Sequence, residues 1–375
     1  AGYEILKNPS TARLVNAFKI SGRGKNNLAV GVFNAVTANT WAKIAYEEAE
    51  PELILTEPAA NYNMFVLDQT IGKNSYVNFT NASVVVPGNK YLSNVSASSV
   101  KIMEKNNRFG VSALVAYSMQ RNNSSYLADG WYINSSAGKL TGTWVYYLSS
   151  EIITDKYNPN DMGYLTEFNQ VSNTATVGYR KYSQFWIFNE TRNSLSFSYN
   201  TLFRDAAFTK AEVYLSNYAT TRKHLSLWNE ISWQPVDYHD YYEPRDGVSF
   251  YKRPAMFSEF FMLSSDYRKK LAVDFRTGYY GDTEERHGVW GNISPLARAG
   301  KRFSIRYTLA GDWDLAGAGY FTRISDTIVF GRRDVITFTN TLNFTYVFTN
   351  KLSLSFRARH YVSSVDYKKF YNKCH

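Results

Sequence analysis

A chain of 375 residues with 17% aromatic side chains and a formal charge of +10 is too large for a small disulfide-stapled domain, and its lone cysteine, Cys374, leaves no disulfide framework or cysteine metal site to build. Mean hydropathy is −0.37, and no run of about 18 apolar residues occurs, which excludes a membrane-spanning helix. The basic residues are scattered and not clustered, which excludes nucleic acid as the expected partner.

The chain opens Ala1-Gly2-Tyr3, with neither an initiator Met nor a charged-then-apolar leader, so an exported protein is expected to begin upstream of it. From residue 12 onward, short segments alternate apolar and small polar residues, and about nineteen candidate strands can be marked. Polar turns such as Arg23-Gly24-Lys25-Asn26, Gly72-Lys73-Asn74 and Lys105-Asn106-Asn107 separate the early ones. The stretch Trp41 to Leu55 carries Glu47, Glu48 and Glu50 and is broken by Pro51, so it reads as loop in preference to helix, inside a long interval at 39–61. Further long intervals fall at 154–172 and 235–247. Short connections alternating with long ones suit a barrel with tight turns at one rim and loops at the other.

The two-residue beat is cleanest at Leu195, Phe197, Tyr199, Thr201 and Phe203, interleaved with Ser194, Ser196, Ser198 and Asn200. It returns at Phe303, Ile305, Tyr307 and Leu309, with Ser304, Arg306, Thr308 and Ala310 between. Such a period places one set on each face of a strand. Late candidate strands lie at 247–264, 301–313, 319–329, 335–348 and 351–362, and Tyr361 is expected to close the last. Some closing strands are therefore expected to lie beyond this chain, since an odd strand count is unusual for a bacterial barrel.

The densest ionisable cluster is Asp237, His239, Asp240, Glu243 and Asp246, among Tyr238, Tyr241 and Tyr242. Its spacing matches no metal motif, and Pro244 and Gly247 mark a loop, so a solvated extracellular loop is expected; a carbohydrate or partner contact and a hard-cation site are the alternatives. Asp282, Glu284, Glu285, Arg286 and His287 read as a rim turn on the same grounds. Charge also recurs at polar positions of the later strands, at Glu212, Glu230, Asp274, Arg276, Arg306, Asp312, Arg357 and Arg359. In a barrel these would line the lumen and set solute preference, or pair with one another across strands. No HExxH, GxSxG or phosphate-loop pattern is present, so no catalytic residue, cofactor or enzyme activity is expected.

Three stretches carry a family resemblance: Asn8 through Gly22 leading into Leu28 through Ala38, Tyr62 through Gln69, and Phe356 through Tyr367. They resemble an uncharacterised family of Gram-negative outer-membrane proteins, in which a module similar to family 9 carbohydrate-binding modules precedes a large C-terminal barrel. The resemblance implies that residues 1–375 form one barrel domain, with the N-terminal module and the closing C-terminal strands outside it. Composition, alternation and resemblance together predict an all-β, large antiparallel transmembrane β-barrel of about 18–22 strands when complete. Its expected place is the cell outer membrane of a Gram-negative bacterium, for solute passage or as a subunit of an outer-membrane complex. Lipid and lipopolysaccharide, other envelope proteins or a plug, and glycans are the expected partners. The rival reading is a surface all-β carbohydrate-binding protein, with the aromatics as ligand platforms.

Overall fold

The computed structural model of the chain describes residues 3–46, 50–123, 125–325 and 327–372; Glu47, Glu48, Cys374 and His375 lie outside them. Among the described residues there are twenty-three strands, one short 3-10 turn at Pro87–Asn89 and no α-helix. A period of two gives no stretch an apolar helical stripe, and Tyr, Phe, Val, Ile and Thr suit a pleated surface. The all-β, antiparallel class expected from the sequence is thus the class of the protein.

The chain divides into two compact units. The first comprises residues 1–140, 148–173 and 202–207. In chain order its strands are β1 (Tyr3–Lys7), β2 (Leu14–Arg23), β3 (Leu28–Thr37), β4 (Thr40–Tyr46), β5 (Glu52–Glu57), β6 (Asn61–Ile71), β7 (Ser75–Val86), β8 (Tyr91–Met103), β9 (Phe109–Asn122) and β10 (Ser125–Lys139). β2, β3 and β6 to β10 follow one another as an antiparallel meander. β11 (Trp144–Ile153) and β12 (Gln170–Lys181) contribute residues to both units.

The second unit comprises residues 141–147, 174–201 and 208–375. It adds β13 (Phe188–Leu202), β14 (Phe208–Thr221), β15 (Ser226–Gln234), β16 (Tyr238–Asp240), β17 (Tyr251–Arg253), β18 (Met256–Ser264), β19 (Leu271–Asp282), β20 (His287–Ala299), β21 (Phe303–Ile324), β22 (Thr327–Thr349) and β23 (Leu352–Asn372). β13, β14, β15 and β18 to β23 form a second antiparallel meander, with β16 and β17 as a separate hairpin.

Four stretches differ from the sequence reading. The interval 39–61, read as loop, holds β4 and β5, which join β1 in a three-stranded sheet; Thr40, Ala42 and Ile44 are buried at every second position, a strand pattern that Pro51 and the glutamates obscured. The segment 247–264 is two strands, because Pro254 has no N–H to donate to a ladder. The segments 301–313 and 319–329 belong mainly to one strand, β21, whose bulge between Asp314 and Gly317, with Ala316 at φ +55°, absorbs what reads as a turn. The last strand runs beyond Tyr361 to Asn372, carried past its charged stretch by a bulge opposite Arg332 and Arg333.

The two faces of the second unit's sheet have opposite character, and the apolar one is the open one. Leu195, Phe197 and Tyr199 are exposed, as are Tyr307 and Leu309, while Phe303 and Ile305 on the same face are half-buried beside Phe344 and Tyr346. Ser196 and Ser198, on the opposite face, are sheltered and bond the hydroxyls of Thr176 and Thr174 at 2.9 Å. The apolar face continues across strands, Leu195 opposite Leu215, Leu215 opposite Ile231, Tyr279 opposite Val289 and Val289 opposite Trp313. It has polar exceptions: Glu259 accepts a bond from Asn229 at 3.0 Å, and Tyr307 donates to Asn340 at 2.9 Å.

In the first unit, residues 154–169 fold back over the sheltered face. Asp161 accepts from Tyr91 at 2.9 Å and Gln120 at 2.8 Å, and Tyr157 packs against Ala116 and Ile153. Gly130 permits this approach, since a Cβ there would collide with the backbone of Tyr157.

Candidate functional site

The eight charged residues singled out from the sequence share one face of the second unit, the polar face, which is sheltered at Asp274, Arg306 and Asp312 but open at Arg276, Arg357 and Arg359. Ser232, opposite Tyr214, donates to Glu212, and Glu230 lies opposite Phe260. Phe260 is opposite Gly278, Gly278 opposite Trp290, and Trp290 opposite Asp312. Asp274 and Arg276 share Gly278's face by alternation. Arg306 is opposite Asn343 and Asn343 opposite Arg357, while Arg359 faces Thr341 two residues on. Period-two alternation is sufficient to put them all on one surface, because each sits at a polar position of its own strand.

They do not form one cluster. Asp274 and Arg306 are paired at 3.0 Å, with Ser264 at 2.6 Å and the Tyr267 hydroxyl closing the group. Glu212 meets Lys210 at 3.3 Å. Arg276, Arg357 and Arg359 make no ion pair among the described residues; Arg359 lies over the Tyr361 ring at 5.4 Å. Local pairing therefore neutralises part of this face and leaves the guanidinium groups of Arg276, Arg357 and Arg359, with the carboxylates of Glu230 and Asp312, to set its field.

The Asp237 to Glu243 segment is a built hairpin and not a solvated loop. Tyr238, His239 and Asp240 form β16, in register with Arg253, Lys252 and Tyr251 of β17. Asp240 accepts from the backbone N–H groups of Tyr242 and Glu243 and from Arg253 Nε at 2.9 Å. Glu243 takes Arg253 at 2.7 Å and the N–H of Tyr320 at 2.6 Å, which ties the hairpin to β21. Asp237 pairs with Lys252 at 2.9 Å. His239 stacks on Phe250 at 4.1 Å, Tyr241 lies against the same ring at 5.3 Å, and Tyr242 is open to solvent. Burial raises the Tyr238 hydroxyl above its ordinary range. Burial alone would lower Arg253, but Tyr238, Asp240 and Glu243 outweigh it and hold the guanidinium charged. Each acid has its own cationic or N–H partner, so the segment closes on itself. Among the described residues no group of three or more His, Cys, Asp or Glu is placed to hold a metal ion.

The second acidic cluster is ordered in the same way. Asp282 caps its turn by accepting from the N–H groups of Glu284 and Arg286. Arg286 makes a two-pronged contact to Asp314 at 3.0 and 3.1 Å, and Arg332 reaches both Glu284 and Glu285. His287 begins β20, its Nδ1 within 3.1 Å of the Glu285 carbonyl.

Sequence reasoning missed a row of aromatic rings on the polar face. Tyr218 lies opposite Trp228, and Trp228 meets Phe260 edge-on at 5.8 Å. Phe260 lies parallel to Trp290, again at 5.8 Å and within 17°. The Trp290 indole rests over Gly278, where a Cβ would collide with Nε1, Cε2 and Cζ2. Gly278→Ala is accordingly expected to lower stability by about 1–3 kcal/mol, the usual cost of overpacking, as read from a urea midpoint. An unchanged midpoint would mean that the indole does not need this seat.

Fold and face together describe an all-β protein with an open apolar surface and a sheltered, charged and aromatic one. Over residues 1–374 the chain matches a family model described as a domain of unknown function, DUF5916, and it belongs to that family. No curated protein and no solved structure matches it.

Proposed function

We propose that this chain is a β-barrel of the Gram-negative outer membrane, about 18–22 strands when complete, serving solute passage or acting as a subunit of an outer-membrane complex. One observation carries the reading: large apolar side chains such as Leu195, Phe197, Tyr199, Tyr307 and Leu309 are exposed, while the serines of the same strands, with Arg306 and Asp312, are sheltered. Water favours the opposite arrangement, so the solvent on the open face is lipid. Lipopolysaccharide and neighbouring envelope proteins are the partners such a surface meets. The connection 154–169 and the hairpin built on β16 and β17 lie on polar surface and serve as internal restrictions. Nothing in this reading requires catalysis.

Two measurements test it. Purified protein should require detergent to remain in solution, and free solubility would favour the surface carbohydrate-binding reading. In planar bilayers it should conduct with a preference for anions. Of the eight charged residues on the polar face, the three guanidinium groups without an ion pair among the described residues, Arg276, Arg357 and Arg359, outnumber the two such carboxylates, Glu230 and Asp312. Arg357→Glu with Arg359→Glu should reduce or reverse that preference. Cation preference in the unmodified protein would reject the charge argument, and absence of current would leave the complex-subunit role.

A further inference from the structure

Beyond charge, the polar face carries an arrangement that charge selectivity does not use. Four rings, Tyr218, Trp228, Phe260 and Trp290, step across β14, β15, β18 and β20 at positions that alternation assigns to polar side chains. Successive centroids from Trp228 to Phe260 to Trp290 are 5.8 Å apart. Trp228 is 40% exposed even on this sheltered side. The Trp290 indole rests over Gly278, in the space a Cβ there would need.

The rings join two depressions. One, of about 420 Å³, is lined by Arg180, Arg192, Tyr218 and Trp228, with the Arg192 guanidinium 4.3 Å from the Tyr218 ring centre. The other, of about 400 Å³, is lined by Glu230, Phe260, Tyr280, Arg286 and Trp290. Carboxylates, guanidinium groups and hydroxyls thus border these rings, of which Phe260 and Trp290 are parallel and Trp228 stands edge-on to Phe260. A pyranose ring has the matching chemistry, with apolar C–H faces that stack on aromatic carbon and an equatorial belt of hydroxyls that bonds charged groups. The ring-to-ring step is about the length of one sugar.

We infer that Tyr218, Trp228, Phe260 and Trp290 form a stacking track for a linear oligosaccharide of pyranose units; the inference rests on the reading of this face as the wall of an aqueous lumen. Isothermal titration of detergent-solubilised protein with maltohexaose and with cellohexaose tests it. At least one hexasaccharide should bind, and Trp228→Ala or Trp290→Ala should each weaken that binding roughly two- to tenfold, whereas Trp290→Phe should retain most of it. Far-ultraviolet circular dichroism of each variant separates lost binding from lost fold. Binding of neither sugar by the wild type, or unchanged affinity in well-folded alanine variants, overturns the track. The titration needs no membrane current: sugar binding without conductance rejects passage and keeps the track, and conductance without sugar binding rejects the track alone.

Discussion

Replacing Phe197 with arginine is expected to destabilise the folded protein in lipid by about 2–4 kcal/mol, the cost of a cation near the middle of a barrel's lipid face. Phe197 sits near the centre of β13, is 49% exposed, and lies between Leu195 and Tyr199 on the open apolar face. Its neighbour Ser198 supplies the control. It occupies the opposite face, opposite Glu212 in register, and shares a hydroxyl bond with Thr174 at 2.9 Å. Arginine there loses one hydrogen bond of about 1 kcal/mol but gains an acid across the strand. Urea titrations of folding into phospholipid vesicles should therefore separate two adjacent substitutions by several-fold in free energy. Equal effects, or a neutral Phe197→Arg, would mean that the open face is not lipid-facing.

The fold class was legible because the beat at 194–203 and 303–310 is a local property of the chain, and local alternation alone decides which side chains share a face. For the same reason the eight charged residues could be assigned to one surface without knowledge of any tertiary contact. Strand ends were less legible. Ala316 in the left-handed region and the Asp314 to Gly317 bulge look like a turn in sequence, yet the ladder to β22 resumes on the far side. Around Asp366 and Lys369 a run of charge reads as a terminus, whereas the bulge there leaves the strand intact to Asn372.

The site resisted reading where it depends on which segments become neighbours. Trp228 and Trp290 each resemble one more aromatic in a strand rich in them. Their parity is the usable signal: Trp228 is in step with Glu230 and Ser232, and Trp290 with Asn292 and Ser294. A large ring on the polar beat is out of place on both of the ordinary strand faces. No comparable signal marks Arg253. Its partners are thirteen and ten residues back in the chain, and only the pairing of β16 with β17 brings the three together.

That guanidinium is the pin of the β16–β17 hairpin, and Arg253→Met is expected to release it. The Arg253, Asp240 and Glu243 side chains are only 16, 20 and 23% exposed. Removing the cation leaves two sheltered carboxylates facing each other, and breaking such a pair by deleting one partner costs about 3–5 kcal/mol. The hairpin has no long ladder to absorb that loss; its other holds on the sheet include ring contacts, Tyr251 on Phe330 at 4.6 Å, His239 on Phe208 at 5.9 Å and Arg245 over Tyr320 at 4.4 Å, with a 2.7 Å hydroxyl contact to Tyr371. The cost should therefore appear as local detachment and not as global unfolding. Limited chymotrypsin digestion should cut the variant at Tyr241, Tyr242 or Tyr251 much faster than the wild type, with the remaining strands protected. In planar bilayers the released hairpin should raise single-channel conductance. Substituting all three members, Asp240→Asn, Glu243→Gln and Arg253→Met, removes the unpaired charges and should recover much of the protection. Wild-type resistance in Arg253→Met alone would show that the aromatic contacts hold the hairpin without the ion pairs.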